Sequence, residues 1–184
     1  MQQCLFRAGV PEFRQVKRMP VCNGWLCTWE AIMRILLAID DSECSTAAVK
    51  AVIDQFRPAH TQVTVLHADD WPNGMPPSMG FAEGSSAAHN ILAFHKLRRS
   101  NAAALLESVA EQLRRAGFTV AASLRDGDPR HTIVDCAREW RADLIVLGSH
   151  GKKGLDRMLG SVSDSVARHA PCSVEIVRAA STAA

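Results

Sequence analysis

From Met33 onward the chain alternates short runs that are apolar throughout with longer stretches whose apolar residues recur every three or four positions. Residues 35–39 are continuously apolar, the form expected of a parallel strand covered on both faces. Asp41-Ser42 offers a helix cap, and 46–56 reads as a helix with Ala48, Val49, Val52, Ile53 and Phe56 inward. A second strand follows at 62–67, then a loop from Asp69 to Gly80 dense in proline and glycine. A long helical tract covers roughly 86–116, where Leu105, Val109 and Leu113 repeat at four-residue spacing and Gly117 supplies the stop. The third strand falls at 118–124. Asp128-Pro129 puts a capping acid before a proline at the first helical position, opening a helix to about Trp140. A fourth strand at 144–147, a short helix at 161–169 and a fifth strand at 172–177 complete the series. This alternation predicts an α/β fold with a doubly wound five-stranded parallel sheet and right-handed crossovers.

Residues 1–32 read differently. They mix Gly9, Pro11, Pro20, Gly24, Trp25 and Trp29 with no period of 2 or 3.6, which predicts little regular structure. The abrupt start of the first strand makes Met33 the expected biological start, with 1–32 an upstream extension, 33–180 the domain and 181–184 a tail. Charge separates the same two parts. The net +2 of the 184 residues resides in 1–32, where Arg7, Arg14, Lys17 and Arg18 outnumber Glu12 and Glu30. The remainder is neutral, so nothing builds the basic face that nucleic-acid binding needs. No apolar stretch has the length of a membrane span, and the start has no signal-like apolar segment; a cytoplasmic location is expected. There the cysteines at 4, 22, 27, 44, 136 and 172 are reduced thiols. Cys22 and Cys27 have no second Cys/His pair at finger-like spacing, which favours incidental thiols over a metal site.

The candidate chemistry lies behind the fourth strand. Gly148-Ser149-His150-Gly151 follows the apolar run directly, and Gly160-Ser161-Val162-Ser163 opens the next helix. Spaced glycines let a backbone approach an anion, and N–H groups at a helix start point at it. In doubly wound sheets ligands bind outside the carboxyl ends of the strands, where the strand order reverses. Asp40-Asp41-Ser42 ends the first strand, so its carboxylate would face the glycine loop if strands one and four are neighbours. Asp40 is read as functional and Asp41 as a cap. His67 and Ala68 would form a wall at the end of the second strand, with His67 chiefly a core residue. Simpler readings stand beside these. Ser161 is a good N-cap with Asp164 three residues on. Lys152 and Lys153 read as solvated loop residues, Trp71 as a loop anchor or a surface for a base, and Cys172 as a small hydrophobe.

The segments Ile35-Leu-Leu-Ala-Ile-Asp-Asp-Ser42, Asp143-Leu-Ile-Val-Leu-Gly-Ser-His-Gly-Lys-Lys-Gly-Leu-Asp-Arg-Met-Leu-Gly-Ser-Val-Ser163 and Ala167-Arg-His-Ala-Pro-Cys-Ser-Val174 resemble the universal stress protein family, in its ATP-binding branch. The resemblance runs from Met33 to about Arg178. It implies one Rossmann-like domain of the adenine nucleotide alpha hydrolase-like type, with strand order 3-2-1-4-5. It further implies a homodimer joined through the last strand, about 173–177. ATP or another adenine nucleotide is the implied ligand, with Mg²⁺ beside the phosphates. By position, Asp40 would bond the nucleoside and Ala68 line the adenine pocket. Gly148, Ser149, His150 and Gly151 would admit ribose and phosphates, His150 through its backbone. Gly160, Ser161, Val162 and Ser163 would hold the phosphates. One feature departs from the family pattern: Gly151 and Gly160 enclose eight residues where the pattern has nine. The exposed Lys-Lys-Gly turn either absorbs the difference or passes it to the register of Gly160-Ser161.

The expected function is a nucleotide-binding regulatory or protective module, not a fast enzyme, whose downstream protein partner the residues do not specify. A slow ATP hydrolase would need a base, for which Asp40 and Asp156 are the nominees, and no Gly-x4-Gly-Lys-Ser/Thr loop occurs. A nucleotide-free dimeric interaction protein of the same family is the other alternative. A flavin carrier lacks the Ser/Thr-rich phosphate loop after the first strand.

Overall fold

In a computed structural model, the described residues are 21–23, 26–28, 32–70, 86–150 and 159–179. The chain divides into two compact units, Met1–Ala31 and Ile32–Ala184. The expectations for Trp71, Gly151, Lys152, Lys153, Asp156 and the tail at 181–184 lie outside the described residues. In the first unit, β1 (Val21–Asn23) and β2 (Leu26–Thr28) pair antiparallel with Cys22 opposite Cys27. That short antiparallel pair stands where no periodicity predicted regular structure.

The second unit holds β3 (Met33–Ala38), α1 (Glu43–Gln55), β4 (Thr61–Asp69), α2 (Ser86–Arg115), β5 (Thr119–Asp126), α3 (Pro129–Trp140), β6 (Leu144–Gly148), α4 (Ser161–His169) and β7 (Ser173–Val177). All five strands are parallel, in the order β5-β4-β3-β6-β7. Counted from Met33 this is 3-2-1-4-5. The order reverses between β3 and β6, so their carboxyl ends flank the crevice position.

The continuous apolar runs are explained by burial on both faces. Ile35, Leu37 and Ile39 of the β3 segment pack with Val63, Val65, Val146 and the inner stripes of α1 and α2. Leu36 and Ala38 point the other way, into Leu66, Ile145, Leu147, Ile133, Val134 and Val166 beneath α3 and α4. Alternate residues of one strand thus feed two separate cores.

Several boundaries differ from the sequence expectation. α1 starts at Glu43, three residues early, because the Ser42 side chain caps it by accepting from the Ser45 N–H at 3.2 Å. Asp41 is exposed and is not the cap. β4 and β5 each run two residues further than expected, through Asp69 and Asp126, which pair with each other. The Gly127 N–H closes that end on the Asp69 carbonyl at 2.9 Å. Aspartate disfavours strands locally, and the ladder overrides it. Gly117, φ +95°, adopts the left-handed conformation expected of a helix stop.

Asp128 caps α3, accepting from the Arg130 N–H at 2.9 Å. Hydrogen bonds from the Arg130 side chain and backbone lower its pKa to about 2. A depressed acid stabilises the fold above its unfolded pKa, and that contribution disappears as pH falls through the folded value. The Asp128→Ala variant should therefore be less stable by about 1 kcal/mol at neutral pH. The difference should persist to pH 4 and close as pH approaches 2, measured by denaturant unfolding of both proteins at each pH.

Candidate functional site

The carboxyl ends of β3, β4 and β6 open into a crevice of about 920 Å³. That lies within the roughly 300–1,000 Å³ of small-molecule pockets. Asp40, Ala68, Gly148, His150, Gly160, Ser161, Val162 and Ser163 all line it. Ser149 is buried behind the wall, 1 % exposed.

Ser149 organises one side. Its N–H donates to the Val177 carbonyl at 2.7 Å, tying the loop to β7. Its carbonyl accepts from the Gly160 N–H at 2.8 Å and from the Ser163 hydroxyl at 2.8 Å. These bonds fix the start of α4 against the end of β6. They also revise the expectation that Ser161 caps α4. Gly160, not Ser161, is the N-cap, and it makes no side-chain cap bond. The N–H of Gly160 is committed to Ser149. The Ser163 hydroxyl is shared between the Ser149 and Gly160 carbonyls, the latter at 2.9 Å. Asp164 pairs with Arg168 four residues on, where a capping box would turn it back. The first-turn N–H groups of Ser161, Val162 and Ser163 have no intrahelical acceptor, since the first i→i−4 bond of α4 is Asp164 N–H to the Gly160 carbonyl, 2.9 Å. They carry the positive end of the helix dipole.

Gly148 has a different reason for lacking a side chain than ligand approach. A Cβ there would stand 2.7 Å from the Cys44 Cβ and 2.9 Å from its carbonyl carbon. The strand end and the first turn of α1 touch through the missing methyl. Cys44 Sγ lies 3.7 Å from Ser149 Oγ, which lies 3.0 Å from His150 Nδ1. Burial pushes the Cys44 thiol up, but hydrogen bonding to the Ala179 backbone, the Ser149 hydroxyl and the His150 backbone outweighs it, and its pKa is lowered.

On the opposite side, Asp40 Oδ1 accepts from the Ser42 hydroxyl at 2.5 Å, the Ser45 hydroxyl at 2.6 Å and the Ser42 N–H at 3.2 Å. The Asp40 N–H returns a bond to Ser45 Oγ at 2.9 Å. One carboxylate oxygen therefore locks the turn into α1, leaving Oδ2 as the oxygen for other partners. The Ser42 hydroxyl also reaches the His150 carbonyl at 3.3 Å, joining the β3 and β6 loops. His67 Nδ1 sits 2.9 Å from the Ile39 carbonyl. A carbonyl only accepts, so Nδ1 carries the proton.

Sequence reading missed the wall supplied by α2 and the end of β4. Phe94, Arg98, Asn101 and Asp69 line the crevice with Pro129 of α3. Asp69 is 2 % exposed and is held by Arg98 Nη2 at 2.7 Å through Oδ1. The signal was present: 63, 65, 67 and 69 alternate onto one inward face, and an acid there demands a partner. Among the described residues no group of three or more His, Cys, Asp or Glu is placed to hold a metal ion. No helix among them is long and apolar enough to cross a membrane.

The Gly148→Ala variant should lower thermal stability, because α1 must retreat from its strand to relieve contacts below 3 Å. Overpacking of this kind costs about 1–3 kcal/mol. A melting curve within a degree of wild type would show that the contact is soft.

Residues 31–178 match the model of the universal stress protein family. Universal stress protein Sll1388 of Synechocystis sp. is 32 % identical over 150 residues, covering 79 % of this chain and 97 % of its own. Among solved structures, the fold of hypothetical protein MJ0577 superposes with a TM-score of 0.67 at 26 % identity, over 80 % of this chain and 96 % of that one. A universal stress protein in complex with cAMP shares the fold at a TM-score of 0.55 and 23 % identity, over 82 % and 99 %.

Proposed function

The chain belongs to the universal stress protein family, and from that premise we propose that its crevice binds an adenine nucleotide, with ATP the ligand the site fits best. The observation that carries this reading is the first turn of α4. Ser161, Val162 and Ser163, whose N–H groups have no intrahelical acceptor, line a crevice of about 920 Å³, and Gly160 adds no side chain to its edge. Charge-assisted bonds from such amides each contribute about 1.5–3 kcal/mol. The phosphates lie there, held by backbone and not by the Ser163 hydroxyl. The free Oδ2 of Asp40 accepts from the ribose, and Ala68, Pro129 and Val162 form apolar surface for the base. The cAMP complex, at 23 % identity, supports the fold alone. A magnesium ion would be held mainly by phosphate oxygens and water, as Mg²⁺ commonly is.

The protein acts as a binding module whose occupied and empty forms differ in what they engage, not as a fast enzyme. Nucleotide shifts such an equilibrium only by differential affinity for the two forms. Asp40 supports this reading, because its Oδ1 is already committed to Ser42 and Ser45. The outer edge of β7, with Val174 and Ile176 partly buried beside it, is where a second copy would dock to form a homodimer.

Calorimetric titration tests the proposal. ATP should bind at least tenfold more tightly than adenosine, since only ATP reaches the α4 amides. The Gly160→Val variant should lose most of that difference, because its Cβ stands 3.2 Å from the Ser149 carbonyl oxygen and its branches crowd the helix mouth. Equal affinity for ATP and adenosine, or an unaffected Gly160→Val protein, would overturn it.

A further inference from the structure

We propose that Cys22 and Cys27 are a redox modification site: their thiols close reversibly into a disulfide that locks β1 to β2. The observation behind it is a juxtaposition. β1 and β2 run antiparallel with Val21 opposite Thr28, Cys22 opposite Cys27 and Asn23 opposite Leu26. Spacing alone favours incidental thiols for these two residues, and register adds that they are direct cross-strand partners. The pair belongs to the unit Met1–Ala31, so the inference is independent of the nucleotide crevice.

Strand geometry gives that register a chemical meaning. Directly opposite residues in an antiparallel ladder have Cα atoms about 4.5 or 5.5 Å apart, according to whether the pair exchanges hydrogen bonds. Disulfides span Cα separations of about 4.4–6.8 Å, so either case admits a bridge without backbone movement. Opposite residues also share a face of the ladder, and neighbours along a strand take the other face. Val21, Asn23, Leu26 and Thr28 therefore lie on one face, and the two cysteines occupy the second. Among the described residues no other two cysteines are ladder partners, and Cys44, Cys136 and Cys172 are free thiols.

The step is exchange with a low-molecular-weight disulfide of the glutathione class. One cysteine thiolate attacks a sulfur of that oxidant, forming a mixed disulfide and expelling one small thiolate. The second cysteine thiolate attacks the protein-side sulfur of the mixed disulfide, whose S–S bond breaks and releases the second small thiolate. The protein loses two protons and two electrons, and the oxidant becomes two small thiols. Two three-residue strands form a ladder that is marginal in water without further support. A cross-link removes open conformations from the competing ensemble and so stabilises the ladder, and by linkage the ladder favours the bridge by the same factor. In a reducing compartment the dithiol is the resting form, and oxidising conditions close the bridge.

The test equilibrates the full chain in glutathione redox buffers, quenches it by alkylation and maps its disulfides by peptide mass spectrometry. A second protein carries Leu26→Cys together with Cys27→Ser, which shortens the separation by one residue and moves one thiol to the other face of the ladder. A structureless chain would close both pairs about equally, because loop entropy changes slowly with length. The wild-type bridge should instead form with an equilibrium constant about tenfold or more above that of the displaced pair. Amide hydrogen exchange in β1 and β2 should slow on oxidation of wild type, recover on reduction, and not respond to oxidant in Cys22→Ser. Equal constants in the two proteins overturn the proposal. So does a bridge that joins other cysteines, or amide exchange in β1 and β2 that oxidation leaves unchanged.

Discussion

The backbone of one residue, Ser149, holds the functional end of this fold together. Its N–H is bonded to β7, and its carbonyl to both the N-cap and the third residue of α4. A carbonyl at the end of a parallel strand would otherwise face the crevice unmatched, at the cost of a buried polar group. Using it to receive two donors from α4 turns that liability into a fixed angle between strand and helix. The orientation of the α4 dipole, and hence the crevice's only described helix start beyond β6, follows from that pair of bonds. Gly160 enters this arrangement twice: its N–H, which any residue but proline could supply, makes one of the bonds, and its lack of a side chain lets the loop at 149–150 lie against it.

A second lock works on the other side of the switch point. Asp40, Ser42 and Ser45 form a closed set of hydrogen bonds that places the first turn of α1, and Ser42 reaches across to the His150 carbonyl. Close contact between Gly148 and Cys44 completes the junction. The two loops flanking the crevice are therefore tied to each other and not only to their strands. A ligand entering here meets positions already fixed, which limits the ordering entropy it must overcome.

Much of this was legible in the chain, for specific reasons. Apolar runs such as 35–39 announce strands buried on both faces, and Asp128-Pro129 and Gly117 punctuate helices through backbone geometry that few other residues satisfy. The glycine loops located the crevice, but the purpose of each glycine was not readable. Gly148 makes room for α1, and Gly160 for the backbone of Ser149 and His150; both depend on contacts across the fold, about ten residues away in sequence for Gly160 and a hundred for Gly148. The role of the Ser163 hydroxyl was unreadable for the same reason. Ser163 is 2 % exposed, and its hydroxyl serves backbone carbonyls. The ends of β4 and β5 were missed because aspartate argues locally for a loop, while pairing of Asp69 with Asp126 extends the ladder.

The extension of β4 has a chemical consequence for the crevice. Had the strand stopped at His67, Asp69 would sit in a solvated loop and its charge would be screened. Inside the ladder it is nearly sealed from water, and Arg98 engages only one of its oxygens. The crevice itself has two unlike sides: backbone donors at α4, and the Asp40 carboxylate as acceptor. A molecule that satisfies both must carry negative charge at one end and hydrogen-bond donors further along it. Inorganic phosphate or a simple sugar answers only half of that demand. A nucleotide, with phosphates at one end and ribose hydroxyls beyond them, matches both in the direction in which the site runs.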